Sequence, residues 1–240
     1  MSETTFYTSL SERRRVNELL KALRTPCNTY VSSTSSLMSV QFVEEFQSRL
    51  LATHCFLDTI LMEDAFEIAF IESAKSAGFK VNRATPGQRF WDVEIDGSRI
   101  SLKSSKAKSL KAEKLHISKL CEAAWIQDCR SSAMRQEKTF DLFREYSETV
   151  DSIIQFRYFR NDSKYQLVEF PVQNFNKILL LDRQHFTADG PTIKIPTNAE
   201  IPDYSLKIDR SDSKITIANI NIDVCEVLAE WQPRLKPEDS

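Results

Sequence analysis

The sequence predicts a mixed α/β (α+β) domain built around a mixed sheet, and three observations predict it. Apolar residues recur at helical spacing through the first third of the chain. An Asp-Gly pair, Asp96-Gly97, sits between two alternating flanks. From Ser152 onward, short strand-like runs follow one another.

Ser11-Glu12 is expected to cap a first helix that carries Val16, Leu19, Leu20 and Leu23 and ends before Pro26. A Ser/Thr-rich connection from Ser32 to Ser36 leads to a second helix with Phe42, Val43, Phe46, Leu50 and Leu51 inward. A third runs from Glu63 to Ala77 and stops at Gly78. Phe79 to Val81 reads as a short strand, and Thr85-Pro86-Gly87 as a turn. Phe90 to Lys103 reads as a hairpin closed by Asp96-Gly97. A lysine-rich loop follows, then helices from His116 to Arg135 and from Glu137 to Thr149. Strands are expected at 153–160, 165–170, 177–181, 192–195, 205–209 and 214–222, with 233–240 as a frayed tail.

Composition narrows the function classes. With 240 residues and 41% apolar content, the chain suffices for one sizeable core. No apolar run approaches the ~20 residues that cross a bilayer, and the first ten residues lack the pattern of a secretory signal. The five cysteines are scattered and form no Cys-x-x-Cys pair, so the expectation is a cytoplasmic protein with reduced thiols and no zinc site. His54, His116 and His185 match no zinc spacing. No Walker loop, Gly-x-Gly-x-x-Gly or Gly-x-Ser-x-Gly occurs, so a nucleotide cofactor and the common hydrolase triad lack support.

Net charge is only -2, yet Ser98 to Leu120 holds seven basic residues against one acid, Glu113. Such a stripe suits a phosphate backbone held in one groove. Within it, Ser101, Ser104, Lys106, Lys108 and Lys111 are the candidate phosphate contacts. Base reading would fall to Arg157, Arg160, Asn161 and Lys164, or to Arg183, Gln184 and His185, each of which also fits ordinary surface.

If Asp96-Gly97 is the two-residue loop, Ile95 pairs with Ser98, Val93 with Ile100, Asp92 with Ser101 and Trp91 with Leu102. Trp91, Val93, Ile95, Ile100 and Leu102 then share an apolar face, and Asp92, Glu94, Arg99, Ser101 and Lys103 share the other. A carboxylate and an ammonium are thereby placed together. Such a pair can be an exposed cross-strand salt bridge of ~0–1 kcal/mol. It can equally serve phosphodiester hydrolysis, with the carboxylate holding a cation and the lysine steadying charge on the phosphate.

The run Asp92 to Lys103 resembles the core of the PD-(D/E)XK nuclease superfamily, which includes most type II restriction enzymes; the resemblance extends over roughly residues 60–130. It departs twice: Trp91 stands where proline is usual, and Ser101 stands in the acid's place in Ser101-Leu102-Lys103. The resemblance implies a restriction-endonuclease-like mixed sheet flanked by helices and a Mg2+-dependent, sequence-specific cleavage of double-stranded DNA by a homodimer. A catalytically inactive DNA-binding relative and a repair nuclease are the alternatives. Length and composition suggest one domain over 1–240, read here as a nuclease domain with a helical region 1–60, a catalytic core 61–150 and a strand-rich region 151–232 that completes the sheet and serves DNA recognition. Asp92 and Lys103 are the expected catalytic pair.

One aspartate is a poor magnesium site, so a second acid is sought. Glu122 is the leading candidate, placed on the expected helix among Cys121, Ala123 and Ala124, with Glu113 and Glu94 as alternatives. Glu67 falls at the edge of the apolar arc of its helix, either as a site residue or as a structural ion pair to Arg89 or Lys103.

Overall fold

The computed structural model describes residues 9–234. Among them the chain runs α1 (Leu10–Leu23), β1 (Cys27–Val31), α2 (Val40–Leu51), α3 (Glu63–Ser76), β2 (Val81–Arg83), β3 (Val93–Ile95), β4 (Ser98–Ser105) and β5 (Lys114–Glu122). It continues through α4 (Ser132–Thr149), β6 (Ser152–Phe159), β7 (Lys164–Pro171), β8 (Thr192–Ile195), β9 (Tyr204–Asp209), β10 (Lys214–Asn221) and β11 (Glu226–Pro233). Among the described residues, seven strands form one sheet in the order β1-β11-β7-β6-β4-β3-β2, and four form a second in the order β5-β10-β9-β8. The first sheet is mixed, because β4 and β6 run parallel, joined by a crossover that contains β5 and α4.

One face of the first sheet is covered by α2 and α3. Phe42, Phe46, Phe66 and Phe70 pack on Val93, Ile95, Ile100, Leu102, Phe156 and Trp231. Phe66 stacks on Phe156 with ring centroids 4.8 Å apart, and Phe46 meets Trp231 at 4.9 Å. Burial of one such ring contributes roughly 2–3 kcal/mol. The opposite face carries Ile153, Val168 and Phe170, which pack on Leu142, Phe143 and Tyr146 of α4 and on Leu206, Ile208, Ile215 and Ile217 of the second sheet. The apolar face of the candidate hairpin is therefore packed against α2 and α3, while Asp92 and Lys103 stay partly exposed.

The second and third helices and the Asp96-Gly97 turn match expectation. α2 buries Phe42, Val43, Phe46, Leu50 and Leu51. Gly78 follows α3 at φ +89°, and Asp96 and Gly97 take φ +48° and +91°, as the tight turn requires. Other expectations are corrected. The cap of α1 is Ser9, whose hydroxyl accepts from Glu12 N–H in a capping box, and Val16, Leu20 and Leu23 face outward.

The largest correction is the expected helix from His116. Residues Leu115 and Ile117 alternate with polar neighbours, and pairing with β10 makes the segment a strand, β5, with register breaks along the ladder. A short 3-10 turn at Ala124–Gln127 follows, and α4 starts afresh where Ser131 caps Met134 N–H. The strand expected at 177–181 is part of a 3-10 segment, Val172–Leu180, which buries Val172, Phe175 and Ile178 at the three-residue spacing of that helix. Strands β1 and β11 were not expected. Of the predicted tail, residues 235–240 lie outside the described residues.

Candidate active site

The hairpin ladder holds the predicted register at its turn end. Val93 pairs with Ile100, Glu94 with Arg99 and Ile95 with Ser98. It ends there, because the chain leaves the strand at Asp92. Phe90 takes φ +77°, a costly conformation for a bulky residue, and is held by packing on Tyr146 (5.0 Å) and by the Arg89 guanidinium over its ring (4.4 Å). Arg89 is tied in turn to Glu145 of α4 at 2.9 Å. Trp91 is consequently turned to the α4 side of the sheet and joins the opposite core, a correction to its expected pairing with Leu102.

Leu102 N–H is instead taken by the Asp92 carboxylate. Asp92 Oδ2 accepts from Leu102 N–H at 2.6 Å and from the Ser101 hydroxyl at 3.4 Å, and Lys103 Nζ lies 3.7 Å away. Asp92 and Lys103 are both partly exposed, so the pair opens to solvent at the end of β4. Asp92 Oδ1 carries no hydrogen bond or ion pair among the described residues, which leaves it free to bind a further group.

Neighbours from α4, β5 and β6 complete the surroundings. Lys103 stands level with Gln155 on the parallel strand β6, so the two side chains share a face. Gln155 Nε2 donates to the His116 carbonyl at 2.9 Å, whereas its Oε1 and the Tyr146 hydroxyl are buried without a hydrogen-bond partner. An orphaned buried polar atom costs ~1–3 kcal/mol. Burial pushes the Tyr146 phenol far up, with the nearby Ser101 hydroxyl opposing and Cys121 and Asp92 adding. Burial likewise pushes the Cys121 thiol up to about 12, while Arg89 and Lys103 pull the other way.

Not every expected residue arrives. Glu122 lies on a strand, with its side chain 78% exposed and paired with Lys119 at 2.6 Å. Glu67 pairs with Arg83 at 2.6 Å on the α2–α3 side, opposite Ser101 and Lys103, rather than with Arg89 or Lys103. Glu94 shares the Asp92 face but is engaged by Asn82 at 2.9 Å and lies 3.8 Å from Arg99. Glu113 stays in the loop, where its carbonyl accepts from Ile222 N–H. Among the described residues no group of three or more His, Cys, Asp or Glu is placed to hold a metal ion.

The phosphate-contact candidates divide. Ser101 is fully buried against Asp92 and cannot face a ligand's backbone, which corrects its expected role. The Ser104 hydroxyl accepts from Glu63 N–H at 3.2 Å and so serves the start of α3. Lys106 is exposed, 2.9 Å from Glu63, and Lys108 and Lys111 are exposed in the loop. Arg157, a candidate base reader, is fully buried. Sequence reasoning missed Gln155 and Tyr146 as constituents of the site's surroundings, and gave Arg157 a surface role that its burial excludes. The signal was polar residues at alternate positions in an otherwise apolar strand, Ile153-Ile154-Gln155-Phe156-Arg157.

Comparison with known proteins bears on the whole chain. A family model described as SmaI, type II site-specific deoxyribonuclease, matches residues 9–233. The chain is 26% identical over 258 aligned positions to the type II restriction enzyme SmaI of Serratia marcescens, covering 97% of this chain and 96% of that protein. No solved structure matches.

Proposed function

The chain belongs to the SmaI family of type II site-specific deoxyribonucleases, and from that premise we propose that Asp92 and Lys103 are the hydrolytic pair of this sequence-specific DNA endonuclease, with Mg2+ as cofactor. The observation that carries the assignment is the 3.7 Å approach of Lys103 Nζ to a carboxylate already fixed by Leu102 N–H. This is the arrangement expected of the PD-(D/E)XK superfamily.

The donor set fits a hard cation. It offers the Oδ1 of Asp92, a carboxylate oxygen with no hydrogen bond or ion pair among the described residues, in a group open to solvent. Mg2+ is commonly held by one or two carboxylates together with substrate phosphate oxygens, so a single aspartate is compatible with binding once DNA is present. The ion supplies polarisation of the phosphate and a bound water of lowered pKa. The protein's own residues do the rest. Ser101 and Leu102 N–H hold Asp92 in one orientation. Lys103 brings a fixed positive charge to the attacking water and to negative charge developing on the phosphate. Lys106, Lys108 and Lys111 grip the backbone beside the cut without reading sequence.

Cleaving both strands of a symmetric site calls for two equivalent active sites, so the reading includes a homodimer. Val16, Leu20 and Leu23 make an outward apolar stripe on α1, at 52%, 42% and 37% exposure, and supply a surface suited to that contact. No helix among the described residues is long and apolar enough to cross a membrane, and the described cysteines are all free, which suits a reducing, cytoplasmic setting.

A plasmid-cleavage assay tests the reading. Asp92→Ala and Lys103→Ala should each lower cleavage by at least roughly 10²–10³-fold while a gel-shift with duplex DNA still shows binding, and a chelator should stop the wild-type enzyme. Normal cutting by either variant sinks the assignment. The lone site acid gives a second reading some support, that of a DNA-binding relative without hydrolysis. Magnesium-dependent cutting decides against it, and discrete bands decide against an unspecific or repair nuclease.

A further inference from the structure

Arg157 is fully buried in the middle of β6 and has no carboxylate in direct contact. Its five N–H groups are nevertheless all used. Nη1 donates to the carbonyls of Lys111 (3.1 Å) and Lys114 (2.8 Å), and Nη2 donates to that of Ala112 (3.2 Å). Nε (3.0 Å) and Nη2 both donate to Gln166 Oε1, whose own amide donates to Glu230 at 2.5 Å. Burying a cation is costly unless its donors are met, and here three backbone carbonyls at the end of one loop meet three of them and Gln166 the other two. Two residues along, Gln155 makes the same kind of bond to the His116 carbonyl. Both brackets turn carbonyls of 111–116 inward, and the side chains of Lys108, Lys111 and Lys114 remain exposed on the outside.

We infer that Arg157 is the positioning residue of the lysine loop: its guanidinium pins the Lys111–Lys114 backbone to the catalytic sheet, so that the loop lysines meet DNA as a pre-ordered edge. This rests on the reading above that the loop holds phosphates. Fixing the backbone of even one residue costs about 1–2 kcal/mol, so a loop ordered beforehand binds more tightly than one ordered on contact. A lysine cannot substitute, because one compact ammonium with three donors does not reproduce a planar fork with five.

The experiment compares wild type with Arg157→Lys, using anisotropy of a labelled duplex carrying the mapped site in chelator, at several salt concentrations. Steady-state cleavage and hydrogen exchange over 106–114 are read in parallel. Arg157→Lys should weaken duplex binding roughly tenfold (about 1.4 kcal/mol) and raise exchange in the loop. Cleavage at saturating DNA should stay within about twofold, and the salt slope should be unchanged because no charge is lost. Wild-type binding overturns the inference, with or without faster loop exchange, and so does a fall in saturated cleavage at unchanged affinity. Should Arg157→Lys not fold, Gln166→Ala removes the acceptor of two of the five bonds and keeps the charge. It should show the same pattern at roughly threefold, and wild-type behaviour there overturns the inference equally. A Lys108→Ala/Lys111→Ala double variant separates the two readings. If its salt slope matches wild type, the loop does not hold phosphates, whatever Arg157 does; a slope about 2 smaller supports the phosphate reading.

Discussion

At Ser101 the chain departs from the acid of the superfamily pattern that it resembles, and the surroundings supply the reason. The side chain is fully buried between the Asp92 carboxylate, 3.4 Å away, and the Tyr146 phenol. A second carboxylate there would be a desolvated like charge beside Asp92. Ser101→Asp should therefore destabilise the protein by roughly 2–4 kcal/mol at pH 7, read by urea unfolding. Burial and Asp92 would raise the new acid's folded pKa, so its neutral form is the one the fold favours. The penalty should shrink as pH falls toward the ordinary carboxylate range and grow above it. An equally stable variant at pH 7 would mean the position is open to ions after all. The Asp92–Lys103 proximity was legible because a two-residue turn fixes register and register fixes faces. The burial of Ser101 was not, since it depends on α4, a helix that begins thirty residues later and packs across the sheet.

At the scale of elements, the segments that could be read were those with one dominant period. α2 and α3 repeat at helical spacing, and the Asp96-Gly97 hairpin alternates cleanly around a turn with two positive φ angles. β5 could not be read in the same way, because register breaks interrupt its alternation and its partner β10 lies about a hundred residues away. β11 has a similar break between Val227 and Ala229, which leaves Leu228 and Ala229 both buried and erases the period-2 signal. The misreading of β5 is what put Glu122 in the site. On a strand whose inward positions are Leu115, Ile117 and Leu120, Glu122 faces solvent and pairs with Lys119 three residues back. Glu122→Ala should consequently leave cleavage within about twofold, and stability within ~0.5 kcal/mol. A hundredfold loss of cleavage with normal DNA binding would return Glu122 to the metal site and require β5 to move when DNA binds.

For the whole molecule, the two cores and the polar ground between them decide where a partner can sit. One core locks α2 and α3 to the central sheet, the other locks α4 and the second sheet to its opposite face, and the lysine loop lies where β4 leaves the first sheet. On the proposed reading, DNA held by that loop would lie at the open side of the Asp92–Lys103 pair, while α1 leads into the edge strand β1 at the far end of the strand order. A dimer joined through α1 would leave both loops free for one duplex. Val16→Glu with Leu20→Glu puts two charges on the outward stripe without touching either core, so folding should change by no more than about 1 kcal/mol. The expected result is a dimer-to-monomer shift in sedimentation. It should come with plasmid that accumulates as a nicked circle, because each lone subunit cuts one strand before it leaves. A wild-type enzyme that sediments as a monomer at assay concentration rules out the dimer. A doubly substituted enzyme that stays dimeric and still linearises plasmid in one step moves the interface elsewhere, since two buried glutamates without partners would not be tolerated at a subunit contact.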